Sequence, residues 1–236
     1  MQEAQPRGLS RRRVEQLLLK AKSRCSAVSR IDAFSHHFLG HRYKANPLIG
    51  SSDTPEVFTA SLDGFDCVTY VETILALARA SNADDFTQWL QRIRYENGRI
   101  EWRRRNHYMS VWIRNNTKAG VVRLVSMPAQ VTVTRSRVLN LLPGLAPKRV
   151  RVKCLRKSDV HRIEPSLETG DLMFFASTRK NLDIFHCGII VRDGQTLSLR
   201  HASRSRGLVV EQDLDEFLKA NRMAGVIVVR PILWTG

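Results

Sequence analysis

The spacing of apolar residues changes character near residue 121, and that change constrains the fold more than any other feature of the chain. Before it, apolar side chains recur at helical intervals. Val14, Leu17, Leu18 and Ala21 follow a capping Ser10; Ile31, Phe34 and Phe38 precede Gly40. Val71, Leu75 and Ala78 follow Asp66, and Phe86, Trp89, Leu90 and Ile93 run from Asp84 to Asn97-Gly98. After it come short β-branched and aromatic runs at 121–126, 130–135, 149–155, 171–176, 185–191, 196–202 and 225–230, with one late helix at 213–222. Helices first and sequential strands afterwards predict an α+β fold, N-terminal helices packed on an antiparallel β-sheet. No linker or repeat interrupts the 236 residues, so a single domain over 1–236 is expected.

Composition narrows the function classes. No apolar run approaches the roughly 20 residues that span a bilayer. The start, MQEAQPRGLSRRR, lacks the apolar stretch of a signal peptide, so any export signal is expected to be absent from this sequence. The net charge of +16 calls for an anionic partner or setting, with nucleic acid, anionic lipid, wall polymer and carboxylate-rich muropeptide all eligible. The cations are dispersed over Arg11–Arg13, Arg103–Arg105, Lys148–Lys157 and Arg200–Arg206, which suits general attraction better than base reading.

The four cysteines, Cys25, Cys67, Cys154 and Cys187, show no CxxC spacing, which argues against a zinc site. Cys154 ends the alternation Arg149-Val150-Arg151-Val152-Lys153-Cys154 and is expected to face a core. Cys67 is different. Asp66 suits an N-cap, placing Cys67 in the first turn of a helix, where unpaired amides and the dipole favour a thiolate and can hold an oxyanion. A space-filling cysteine would fit the same segment, so the base decides between them.

That base is sought across Asp193-Gly194, a strong two-residue hairpin signal between Ile184–Val191 and Thr196–Ala202. With Asp193 and Gly194 as the turn, His186 faces His201, with Cβ atoms about 4.5–5.5 Å apart. Cys187 then pairs with Arg200 on the other face. One imidazole serves as base and acid while the second orients it.

In order along the chain, Gly40-His41-Arg42-Tyr43, Phe65-Asp66-Cys67, Gly170-Asp171-Leu172-Met173-Phe174-Phe175, His186-Cys187-Gly188-Ile189 and His201-Ala202 resemble the NlpC-type papain-like cysteine peptidases of peptidoglycan. Val68–Ala78, His107–Ile113 and His201-Ala202-Ser203 are similar to the N-acetylmuramoyl-L-alanine amidase-like branch. The similarity runs from about Arg30 to Pro231. The resemblance implies a papain-like fold, a 1–40 helical segment ahead of a catalytic core at 41–236, and an insertion near 84–150. It implies a triad of Cys67, His186 and His201, no metal or organic cofactor, and Tyr43 reaching towards the nucleophile. Asp66, His107 and Arg105 join Tyr43 as expected substrate-site residues; the cations beside His107 suit stem carboxylates. Val68 and Val111 depart from the branch, which usually carries a small or hydroxyl residue at the first and an acid near the second. Trp112 reads as core, His36 and His37 as structural, and Thr69 and Glu72 as braces for the helix start.

The implied function is hydrolysis of the amide between N-acetylmuramic acid and L-alanine in peptidoglycan or muropeptides, by an expected monomer in the periplasm or cell envelope, with the cytoplasm as the alternative. One rival cuts between D-glutamate and the diamino acid of the stem. A second is a basic nucleic-acid-binding protein without hydrolase activity, which predicts salt-sensitive binding and an unreactive Cys67. A lipid acyltransferase using the same Cys-His pair is a third.

Overall fold

The computed structural model describes residues 5–22 and 26–232. Cys25 lies outside them. The described residues gather into two compact units, one of residues 5–22, 26–106 and 201–210, the other of residues 107–200 and 211–232.

The first unit is mainly helical. It holds α1 (Arg11–Lys20), α2 (Ala27–His37), β1 (Arg42–Tyr43), β2 (Gly64–Phe65), α3 (Cys67–Arg79) and α4 (Ala83–Arg94). Ser10 caps α1 by accepting from the Arg13 amide, as its place before the apolar stripe predicts. The fourth helix starts earlier than expected. Asn82 is its cap, its Oδ1 accepting from the Asp84 and Asp85 amides at 2.9 Å each. Asp84 and Asp85 then occupy the first turn, where their charges complement the helix dipole. Every residue of α3 from Thr69 to Ala78 is buried, so this helix is the centre of the unit. Phe38, Phe65 and Tyr70 meet edge to face around its start, at 5.0 and 5.8 Å between centroids.

The second unit holds α5 (Met109–Lys118), β3 (Val122–Leu124), β4 (Thr132–Leu139), β5 (Lys148–Leu155), β6 (Leu172–Ala176), β7 (Ile184–Asp193), most of β8 (Thr196–Ser203), the end of β9 (Leu208–Asp213), α6 (Leu214–Ala220) and β10 (Gly225–Pro231). Its strands run in the order β8-β7-β6-β10-β5-β4, with β3 also on β10, and the registered pairs are antiparallel. The expected antiparallel sheet is therefore present, and the class is mixed α+β. Phe175, Leu199, Phe217 and Val228 are among the residues of its core. Val152 and Cys154 face inward while Arg149, Arg151 and Lys153 are exposed, as the alternation predicts. Trp112 is buried against Phe174 at 5.6 Å.

The β7–β8 hairpin corrects the expected register. Its turn is Gly194-Gln195, and Asp193 stays in the strand opposite Thr196. Gly194 has φ +56° while no positive φ occurs at Gln195, so the loop is of the glycine-first type rather than the Asp-Gly type. The ladder is thereby displaced by two residues. Arg200 faces Ile189 instead of Cys187, and Cys187 faces Phe174 on β6. The count no longer sets His186 directly opposite His201, although a shift of two leaves the alternation of faces unchanged.

Candidate active site

The site is best built from Cys67. Asp66 precedes α3 in an extended conformation, and its Oδ1 accepts from the Thr69 amide at 2.7 Å. The Thr69 hydroxyl in turn accepts from the Asp66 amide at 3.0 Å, completing a reciprocal capping box. These bonds fix the first turn, so half-buried Cys67 stands at the first helical position without itself serving as the cap.

A two-strand parallel ladder holds the preceding residues. Arg42 pairs with Gly64 and Tyr43 with Phe65, so Tyr43 lies beside the entry to α3. Gly64 permits this approach, since a Cβ there would meet the Arg42 carbonyl oxygen at 2.8 Å. On its other side β1 joins β9: the Tyr43 amide donates to the Gly207 carbonyl at 2.6 Å, and the Val209 amide to that of His41 at 2.7 Å. β9 is also the neighbour of β8, which carries His201, a side chain only 3% exposed.

Electrostatics mark this corner of the unit. Burial pushes the Tyr43 phenol above its usual range, and negative charge on Cys67 and Asp66 adds to the effect while Arg204 opposes it. The phenol therefore keeps its proton and remains a donor. Burial also pushes the Asp66 carboxyl up to about 6, again with a contribution from Cys67, against the two Thr69 bonds. An acid raised in the fold stabilises it when protonated; that contribution is complete below the ordinary value and is lost as pH rises through about 6. Thermal midpoints measured from pH 4 to 7 should accordingly carry a falling component that Asp66→Asn removes; an unchanged slope in the variant would refute this assignment.

Below the helix start lies a buried ion pair. Arg94 Nε donates to Glu72 Oε2 at 2.7 Å, both side chains being 2% exposed, and Arg94 also donates to the Thr59 carbonyl. Glu72 thus braces α3 through a partner on α4 that sequence did not reveal.

His186 stands in the other unit, on β7 opposite Phe175. A bulge follows at once: Phe175 pairs with His186 but Ala176 pairs with Ile184, leaving Phe185 extra. Such a bulge re-aims side chains. The imidazole lies nearly parallel to Phe217 at 5.6 Å and Phe175 at 6.2 Å, and it is half-buried. Cys187, its neighbour, is fully buried.

The remaining expected residues divide. Tyr43, Asp66 and Cys67 come together. Arg105 belongs to the same unit but is engaged: its guanidinium meets both oxygens of Glu56 at 3.0 Å, while Tyr95 donates to the same carboxylate. A substrate carboxylate would have to compete with Glu56 there. Arg104 pairs with Glu96, so of the three arginines only Arg103 is fully exposed. His107 is half-buried in the second unit, ahead of α5, whose Ser110 amide donates to buried Asp183 at 2.7 Å. Arg204 was not anticipated. Its signal was the short turn Arg204–Gly207 directly after His201-Ala202-Ser203. Among the described residues no group of three or more His, Cys, Asp or Glu is placed to hold a metal ion.

Residues 33–226 match the family described as AmiA-like, N-acetylmuramoyl-L-alanine amidase-like. The chain belongs to this family. It is an amidase-like hydrolase. Its fold is similar to that of a Legionella pneumophila protein of the DUF1460 family (TM-score 0.82, 20% identity, 94% of each chain covered). It is also similar to an N-acetylmuramoyl-L-alanine amidase from Bacteroides uniformis, in one structure at TM-score 0.75 and 25% identity over 87% of this chain and 99% of that one, and in another at TM-score 0.76 and 26% identity over 87% and 98%. No curated protein matches the chain. Among the described residues no helix is long and apolar enough to cross a membrane.

Proposed function

We propose that the chain hydrolyses the amide joining the lactyl group of N-acetylmuramic acid to L-alanine, on a papain-like, NlpC-type catalytic domain working in the cell envelope. The observation that carries the reading is Cys67 at the first position of a capped, buried helix, beside a phenol held in its protonated form. Family membership supplies the substrate class.

In this mechanism His186 takes the proton from Cys67 Sγ, and the thiolate attacks the lactyl carbonyl carbon. First-turn amides of α3 and the Tyr43 hydroxyl donate to the oxyanion that forms. The tetrahedral adduct collapses with cleavage of the C–N bond, and His186 returns its proton to the departing alanine nitrogen. Water then attacks the thioester, giving up a proton to His186, and the thiolate leaves and is reprotonated. His201 orients the His186 ring. Arg204 offers a cation for a stem carboxylate near Tyr43, and His107 and Arg105 remain proposed substrate-site residues.

Mass spectrometry of products from a defined muropeptide tests the bond. The reading predicts an intact stem peptide with a free L-alanine amine; a dipeptide left on the sugar would assign the endopeptidase instead. Tyr43→Phe should lower kcat by about 10²-fold with little change in KM, as loss of one oxyanion donor does. A kcat within twofold of the parent would remove Tyr43 from the mechanism.

A further inference from the structure

The β4–β5 hairpin of the second unit carries a face that the hydrolytic reading does not use. Register sets Val138 opposite Arg149, Ser136 opposite Arg151 and Thr134 opposite Lys153, and all six are exposed. Three cations therefore stand in a row on alternate residues of one strand, covering about 13 Å. Among the described residues none of the three forms an ion pair with an acid. The sequence explains why: no Asp or Glu occurs between Glu101 and Asp159. The row lies on the exposed face of β5, beside β4, the last strand of this unit's sheet.

The tip continues the face with apolar residues. Val138 and Leu141 are 41% and 45% exposed, and Leu142 and Leu145 are half-buried in Asn140-Leu141-Leu142-Pro143-Gly144-Leu145-Ala146-Pro147. This tip is tied down. The Leu141 amide donates to the Tyr108 hydroxyl at 3.0 Å, and the Leu145 amide to the Leu142 carbonyl at 3.3 Å. Cations alone suit any polyanion. A leucine-bearing tip ahead of a cationic strand face suits one partner better, an anionic phospholipid surface, where apolar side chains enter the headgroup boundary and cations meet phosphates.

We propose that the exposed face of the β4–β5 hairpin, Arg149, Arg151 and Lys153 with Val138 and Leu141 at its tip, docks the enzyme on an anionic phospholipid surface. The full chain should co-sediment with vesicles containing phosphatidylglycerol and not with vesicles of phosphatidylcholine alone. At physiological ionic strength, Arg149→Gln/Arg151→Gln/Lys153→Gln should lower the partition coefficient about 100-fold, and Leu141→Ser should weaken it separately. Both variants should melt like the parent and hydrolyse soluble muropeptide at the parental rate, which keeps this test independent of the Cys67 chemistry. Equal binding to both vesicle types, or parental binding by the triple variant, would overturn the proposal. Vesicle binding lost in the triple variant but untouched by Leu141→Ser would overturn the part assigned to the apolar tip.

Discussion

Cys67→Ala should abolish amide hydrolysis, with kcat falling on the order of 10⁶-fold, as when the nucleophile of a hydrolase is removed. The fold should survive. Cys67 is only half-buried, and the bonds that start α3 belong to Asp66 and Thr69. Turnover and thermal midpoint measured on one preparation separate the two effects. Loss of both would make Cys67 a packing residue, and retained turnover would remove the thiol from the reaction.

Arg94→Leu should cost about 3–5 kcal/mol of stability, because it takes the guanidinium away from a buried carboxylate. Glu72 is 2% exposed and its Oε2 accepts from Arg94 at 2.7 Å, so no water replaces the lost donor without opening the helix packing. Arg94 also holds the Thr59 carbonyl and lies 6.0 Å from the Phe58 ring, so the loop ahead of α3 loosens with it. For a chain of this size the drop corresponds to roughly 10 °C in Tm. Replacing both partners by apolar residues of similar volume, Glu72→Met with Arg94→Met, should recover most of the loss, since the desolvation cost of both charges then disappears. A denaturant series on the three proteins checks the sign. Equal stability of the single and double variants would show that the pair is not the source of the effect.

Legibility in the sequence followed the strength of local signals. Asp66, with a buried helix behind it, marked the start of α3 because N-caps are decided within three residues. The alternation through Arg149–Cys154 marked β5 and its inward face for the same reason. β1 and β2 were illegible. Each is two residues long, and their parallel pairing depends on Gly64 admitting Arg42, a contact between distant positions. The hairpin turn failed through competition between two turn types: Gly194 could occupy either central position, and the first won. Glu72 and Arg94 are 22 residues apart on separate helices, so no pattern in either stretch announces that they meet.

The same division holds for the candidate site. Tyr43, Asp66 and Cys67 converge through a cap and a short ladder within one unit. Arg105 read as a free cation because the acid that takes it, Glu56, lies 49 residues earlier. The bulge beside His186 was invisible because Ile184-Phe185-His186-Cys187 alternates no differently from a regular strand.

The central claim is that Cys67 attacks the lactyl carbonyl, which fixes what the enzyme carries midway through turnover. Rapid acid quench during turnover of a defined muropeptide, followed by mass mapping of the peptide containing Cys67, reads this directly. The account predicts a thioester on Cys67 bearing the muramoyl sugar through its lactyl group and no amino acid. An adduct that includes L-alanine and D-glutamate, or one on a residue other than Cys67, would contradict it.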